Sequence, residues 1–154
     1  MERGVAVLTG SMEDYLEMIY NLVQEKGGVR ISDLAAALGV QPSSATRMVK
    51  KLCSQGLVRC PKYRDVTLTL EGEKLGRFLL WRDRLLKEFL AMLGVESGVA
   101  EQVEGIEHFI TPATMRLIRD LVDFFKEHPE ALAAFRCYRK RPRYPDDVEF
   151  LGFW

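Results

Sequence analysis

Two carboxylates and an imidazole lie close together in the segment Glu104-Gly105-Ile106-Glu107-His108. If this segment is helical, Glu104 shares a helix face with both Glu107 and His108, because residues three and four apart are neighbours on a helix. Carboxylates at that spacing repel one another unless a cation lies between them. Carboxylate oxygens suit Mn²⁺, and imidazole nitrogen suits several transition metals. The segment therefore indicates a divalent-metal site, although a solvated helix face with a chance histidine has the same pattern.

Acidic residues at helical spacing also occur near the N-terminus. Asp14 and Glu17 are three residues apart in a helical pattern for which Ser11 is the expected N-cap. An acid in the first turn of a helix is favoured by the helix dipole, so Asp14 also has an ordinary structural explanation. A third acid, Asp83, lies between two arginines in a long helical pattern.

The composition describes a globular protein without a charge bias. The 154 residues are 47% hydrophobic, and 22 Lys and Arg balance 22 Asp and Glu. This length suits one compact unit or two small domains. A nucleic-acid binder with zero net charge must concentrate its basic residues locally. The three cysteines have no C-x-x-C spacing, and the sequence contains neither a signal peptide nor a membrane-length apolar run, so we expect a cytoplasmic protein with reduced thiols and no membrane contact.

Two short helices with a tight turn between them are predicted in the N-terminal third. Ser32 is the expected cap of the first helix, over residues 33–38, after an extended piece at residues 29–31. Gly39 ends this helix, and Pro42 suits the first turn of the next, which runs to near Gly56. Two helices at this spacing are typical of a helix-turn-helix.

The second of these helices has the composition of a DNA-recognition helix. Its first turns have small hydrogen-bonding groups for base edges or phosphates, and its later turns are basic. Six basic residues and one acid lie between positions 41 and 65, a positive patch that coincides with the helix-turn-helix. A solvated basic face is the ordinary alternative. The predicted DNA contacts of this helix are Gln41, Pro42, Ser43, Ser44, Thr46, Arg47, Lys50 and Lys51.

A β-hairpin is predicted next. Residues 57–60 and 66–70 alternate in polarity on either side of a turn, as paired strands do. A hairpin that follows a recognition helix is the wing of a winged helix, so Lys62 and Arg64 should lie along the DNA backbone. Tyr63 fits a phosphate contact and a packed aromatic equally well.

The remainder of the chain is predicted to be helical. Helices are expected at about residues 71–93, 97–109, 112–125 and 130–139. They have more apolar surface than a small helical domain can bury, which favours a two-fold homodimer. The fold class is mainly α, with a winged-helix DNA-binding domain at residues 1–70, an all-helical metal-binding and dimerisation domain at 71–140 and a tail at 141–154. The aromatic residues of the tail are expected to pack on their own or the partner subunit.

Four segments, at residues 11–17, 42–49, 62–64 and 103–108, resemble the manganese-transport regulators of the diphtheria toxin repressor family. This resemblance implies a homodimer that is not an enzyme, binds a double-stranded DNA operator when divalent metal is bound, and represses metal-uptake genes. The implied cofactor is Mn²⁺, with Fe²⁺ or another divalent transition metal as the alternative. Carried over by position, the metal ligands are Asp14, Glu17, Asp83, Glu104, Glu107 and His108.

Three of these positions concern the choice of metal. Iron-type members of the family have Met where this chain has Asp14 and Cys where it has Glu104, so the sequence follows the manganese type at both. It departs from that type at Asp83, where His is typical, and a carboxylate there favours a hard ion such as Mn²⁺. The alternatives from other classes are a winged-helix repressor that responds to a non-metal ligand and a dimetal carboxylate enzyme. The sequence lacks the paired E-x-x-H motifs of ferritin-like enzymes.

Overall fold

The computed structural model describes residues 8–62 and 64–139 and divides the chain into two compact units. Unit 1 is Met1–Arg84 and unit 2 is Leu85–Trp154. The described residues contain seven α-helices, one 3₁₀-helix and a two-stranded sheet. A mainly α fold, as predicted, is therefore confirmed. Tyr63 and the tail at 141–154 lie outside the described residues, so the predictions made for them stay predictions.

Unit 1 begins with three helices: α1 (Gly10–Lys26), α2 (Ile31–Ala37) and α3 (Pro42–Ser54). Two predicted starts were wrong. The N-cap of α1 is Thr9, whose hydroxyl accepts from the N–H of Met12, and α2 begins at Ile31 with Arg30 as its N-cap. The extended piece before α2 contributes a single antiparallel bridge between Val29 and Val66, because bridging to the hairpin satisfies its backbone groups.

The wing follows α3. Strands β1 (Val58–Arg59) and β2 (Thr67–Leu68) are antiparallel, with Val58 opposite Leu68, which confirms the predicted hairpin. The core of unit 1 lies among α1, α2, α3 and this hairpin. Its fully buried side chains include Leu16, Ile19, Leu34, Val49 and Leu52. Because these come from every helix of the helix-turn-helix, burial fixes which face of α3 remains exposed.

The long helix α4 (Leu70–Leu93) begins in unit 1 and continues into unit 2. Its start is fixed by Thr69, whose hydroxyl donates to the Gly56 carbonyl at 2.6 Å and accepts from the Gly72 N–H at 3.0 Å. Gly72 allows this packing, because a Cβ there would overlap the Leu57 carbonyl oxygen. The first turn of α4 is thereby held against the turn between α3 and β1.

Unit 2 continues with α5 (Val99–Ile106), a 3₁₀-helix (Glu107–Phe109), α6 (Pro112–Glu127) and α7 (Pro129–Arg139). Thr111 caps α6, with Pro112 in its first turn, as the Thr-Pro pair favours. Phe125 of α6 stacks against Phe135 of α7 at a ring separation of 5.7 Å. No helix among the described residues is both long and apolar enough to cross a membrane.

Candidate metal centre and nucleic-acid interface

The exposed face of α3 is polar at its start and basic further along. Ala45, Val49 and Leu52 are buried and Met48 packs against the core, whereas the polar and basic residues of the helix lie on the opposite face. A groove of about 430 Å³ lies along this face and is lined by Ser43, Thr46, Arg47, Lys50, Lys51 and Ser54. Gln41 is the N-cap and Pro42 the first residue of the helix, and both are exposed. The arrangement leaves the side chains of one helix face available to a partner.

Like Ser54, whose hydroxyl donates to the Lys51 carbonyl at 2.7 Å, Thr46 has its hydroxyl hydrogen-bonded within α3. Its hydroxyl donates to the Pro42 carbonyl at 2.8 Å, one turn earlier in α3. A hydroxyl has one proton and two acceptor sites, so Thr46 remains able to accept a hydrogen bond from a base edge but not to donate one. Ser43 is exposed, and none of the hydrogen bonds described for α3 uses its hydroxyl as a donor.

The wing adds basic residues beside α3. Lys62 and Arg64 are exposed at the tip of the hairpin. We call Arg47, Lys50, Lys51, Lys62 and Arg64 the basic surface. A cavity of about 490 Å³ in unit 1 is lined by Lys50, Arg64 and also Arg30, which the sequence reasoning missed. Arg30 forms a loose ion pair with Asp65, at 3.7 Å. In the sequence it is an isolated arginine between two helices, and nothing there indicated that it would lie near the wing.

Two cysteines adjoin the same region. Cys53 belongs to the last turns of α3, and Cys60 follows β1. Partial burial, and next the neighbouring Cys53 thiol, raise the pKa of Cys60 from 9.0 to about 11. A thiol with so high a pKa is protonated at neutral pH and is a poor nucleophile or metal ligand.

Unit 1 holds three of the six predicted metal ligands. Asp14 and Glu17 are half-buried on α1, three residues apart, and Asp83 is half-buried on α4. The residues that precede Asp14 and Asp83 form an ion pair: Arg82 Nη1 donates to Glu13 Oε2 at 2.8 Å. Arg82 is 3% exposed, so a guanidinium is buried directly beside a predicted ligand. The sequence reasoning did not single out Glu13 or Arg82 for any role.

Unit 2 holds the other three. The helix predicted at about residues 97–109 begins later than predicted, at Val99. It changes from α to 3₁₀ winding at Glu107, a usual way for a helix to tighten at its C-terminus, and ends at Phe109. Glu104 is exposed in the last turn of α5, while Glu107 is buried and His108 half-buried. The Nε2 atom of His108 lies 3.8 Å from Oε1 of Glu107.

The donor chemistry of this group fits a divalent cation. Burying a carboxylate is costly unless positive charge compensates it, and Glu107 is only 4% exposed. Carboxylate oxygen and imidazole nitrogen are both ligands that Mn²⁺ and Fe²⁺ accept. The six predicted positions provide five carboxylates and one imidazole, without a thiolate. Such a set favours a hard or borderline ion over a soft one.

Comparison with known proteins identifies the family. Residues 7–66 match the iron dependent repressor N-terminal DNA binding domain, and residues 69–135 match the iron dependent repressor metal binding and dimerisation domain. The HTH-type transcriptional regulator MntR of Shouchella clausii is 44% identical over 140 residues, which are 90% of this chain and 98% of that protein. The regulator of the same name from Bacillus subtilis is 48% identical, over 88% of this chain and 96% of its own length.

Solved structures of longer proteins are also similar. A manganese-dependent transcriptional repressor in complex with manganese is 33% identical with a TM-score of 0.64, and the match covers 73% of this chain and 53% of that one. The manganese regulator SloR is 26% identical with a TM-score of 0.63, over 76% of this chain and 55% of its own. The chain thus spans about half the length of these two structures. Both domains of the family are matched in order, which decides against a dimetal enzyme and a non-metal sensor. The chain belongs to the iron-dependent repressor family and is a metal-dependent, DNA-binding transcriptional regulator.

Proposed function

We propose that this protein is a manganese-responsive repressor of metal-uptake genes that works in the cytoplasm as a homodimer on a DNA operator. The observation that carries the choice of metal is the donor set: five carboxylates and one imidazole at the positions where a metal-dependent regulator is expected to bind its metal. The similarity to a manganese-dependent repressor in complex with manganese supports the same choice.

The proposed ligands are Asp14, Glu17, Asp83, Glu104, Glu107 and His108, three from each unit. A bound divalent cation supplies positive charge that offsets the repulsion among the five carboxylates. In its absence, the acids of α1 and α4 and those around the end of α5 disfavour a common arrangement. In its presence, the same groups hold the DNA-binding half and the dimerisation half in one arrangement. Metal occupancy thereby controls how the two winged helices of a dimer are spaced.

Spacing matters because a dimer must place both recognition helices in the major groove at once. Half-sites lie about 34–36 Å apart or at multiples of that distance. A metal-dependent preference of about 1–3 kcal/mol for the competent arrangement is enough for a useful switch, and DNA must then tighten metal binding by the same factor. In this proposal α3 and the basic surface contact the operator, through Gln41, Pro42, Ser43, Ser44, Thr46, Arg47, Lys50, Lys51, Lys62, Tyr63 and Arg64.

Unit 2 supplies a surface for the homodimer. The helix α6 has one buried apolar face, with Met115 and Val122, and a second that is exposed. Leu117, Leu121 and Phe124 lie on that second face at helical spacing and are 70%, 41% and 48% exposed. An apolar stripe of this kind marks an interaction surface, and a two-fold axis covers it with its own copy. We expect Leu117→Asp to shift the protein from dimer to monomer in sedimentation velocity, and an unchanged dimer would place the interface elsewhere.

The direct test measures DNA binding with and without Mn²⁺ at fixed salt. A duplex selected from a random 30-bp library in the presence of Mn²⁺ serves as the probe. We expect Mn²⁺ to tighten binding to this duplex by about 10-fold or more. Glu104→Ala, at an exposed position, should remove the Mn²⁺ effect and leave the fold intact, whereas Arg47→Ala should weaken DNA binding without changing Mn²⁺ affinity. Equal affinity with and without Mn²⁺ would refute the proposal.

A further inference from the structure

We propose that the buried ion pair between Arg82 and Glu13 is a positioning device for the metal ligands of unit 1. The inference rests on the proposed function, because it concerns residues that adjoin the proposed ligands. Glu13 directly precedes Asp14 in α1, and Arg82 directly precedes Asp83 in α4. A contact of 2.8 Å between these neighbours brings together the helix turns that carry the proposed ligands of the two helices.

A second contact makes this arrangement rigid. Gly76 of α4 lies against Tyr20 of α1 so closely that a Cβ on Gly76 would be 2.7 Å from the Cβ of Tyr20. From Glu13 to Tyr20 the helix α1 advances about 10.5 Å, and from Arg82 back to Gly76 the helix α4 advances about 9 Å. The two helices are therefore antiparallel here and are joined at two points about two turns apart. Two such points fix the axial register of α1 on α4, and with it the separation of Asp14 and Glu17 from Asp83.

The burial of Arg82 explains why this contact is specific. A guanidinium is not deprotonated in proteins, and at 3% exposure it has lost its hydration. Its charge is compensated by a carboxylate that is itself only 20% exposed, so a sliding or rotation of α1 would separate two desolvated charges. An exposed ion pair would not resist such a movement, because water replaces it at little cost.

Variants that remove one or both charges of the pair separate a positioning role from a simple electrostatic effect on Mn²⁺ affinity. Removal of Arg82 alone takes a positive charge away from a cation site, so electrostatics predicts tighter Mn²⁺ binding, and removal of Glu13 alone predicts weaker binding. The double variant Glu13→Leu/Arg82→Met has the net charge of the wild type, so electrostatics predicts no change. Positioning predicts weaker binding, because groups that orient metal ligands typically contribute 10–100-fold in affinity.

The experiment measures the dissociation constant of Mn²⁺ from the free-ion signal in electron paramagnetic resonance, and the melting temperature of the metal-free protein by circular dichroism. Glu88→Leu/Lys126→Met is the matched control: it removes an exposed ion pair of 2.7 Å that also joins α4 to another helix. We expect the double variant at Glu13 and Arg82 to bind Mn²⁺ at least 10-fold more weakly, with a metal-free melting temperature no lower than that of the wild type. The control should stay within about twofold of the wild type.

Mn²⁺ binding within about twofold of the wild type by the Glu13→Leu/Arg82→Met variant would overturn the positioning role and leave the proposed function intact. A wild-type protein that fails to bind Mn²⁺ would instead overturn the proposed function. If the double variant does not fold, Arg82→Lys decides the matter, because it keeps the charge but lacks the planar fork. Positioning then predicts weaker Mn²⁺ binding for this folded variant, and unchanged binding refutes it.

Discussion

Lys50 gives the most quantitative test of the proposed DNA interface. It is exposed on α3 and lines both the groove along that helix and the cavity beside the wing. If each of the five residues of the basic surface meets one phosphate, a dimer neutralises about ten phosphates, and the slope of log affinity against log salt is about −9. Lys50→Ala removes two of these contacts and changes the slope to about −7. Between 50 and 200 mM salt, the variant should lose about tenfold less affinity than the wild type.

The assay is fluorescence anisotropy on the selected duplex, at saturating Mn²⁺ and at five salt concentrations. Lys126→Ala is the control, because Lys126 is an exposed lysine of α6 whose ammonium lies 2.7 Å from the Glu88 carboxylate. Its removal should leave the slope unchanged. The reasoning fails if Lys50→Ala has the slope of the wild type, or if both variants change the slope alike.

Three further changes test other parts of the molecule. Asp83→His should shift the preference from Mn²⁺ towards Zn²⁺ in competition titrations, because imidazole is a softer donor; an unaltered preference would mean that Asp83 is not a ligand. Gly105→Ala should raise the free energy of unfolding in urea by about 1 kcal/mol, since no atom lies within 4 Å of the added Cβ, whereas Gly76→Ala should lower it because its Cβ meets Tyr20. Cys60, with a pKa of about 11, is about 1% thiolate at pH 9. Iodoacetamide should therefore modify it about 5–10-fold more slowly than it modifies a model thiol of pKa 9, because the higher nucleophilicity of a more basic thiolate offsets part of the difference in thiolate fraction; equal rates would contradict the raised pKa.

The helices and the wing were predictable because their signals are local. Periodic apolar residues, a proline at the start of α3 and of α6, and the alternating pattern around the wing each act within a few residues of chain. The errors lie at helix ends, where competing caps differ by little free energy. Thr9 rather than Ser11 caps α1, because the Thr9 hydroxyl accepts from the Met12 N–H, and Arg30 rather than Ser32 precedes α2. Both starts differ from the predicted ones by only one or two residues.

The environment of the candidate ligands was not predictable in the same way. The sequence places Glu104, Glu107 and His108 at helical spacing, but it does not indicate that Glu107 is buried while Glu104 is exposed, since burial depends on elements far away in the chain. The ion pair of Glu13 and Arg82 joins residues 69 positions apart, and no local pattern connects them. The sequence indicates only that Arg82 lies on the apolar stripe of its helix, where a side chain can be buried.

A bound cation strengthens DNA binding in two ways in this proposal: it changes the charge of the protein, and it fixes the spacing of the recognition helices. The first effect applies to any duplex, and the second only to duplexes with suitably spaced half-sites. The chain has zero net charge, yet it concentrates basic residues on α3 and the wing and acids at the proposed metal centre. Neutralising those acids makes a dimer more positive, which strengthens binding to any duplex, because phosphate contacts do not depend on sequence. Fixing the separation of two recognition helices strengthens binding only where two half-sites have that separation. A metal effect on the selected duplex that is larger than the effect on a scrambled one therefore measures the contribution of spacing, and equal effects on both would leave charge as the whole explanation.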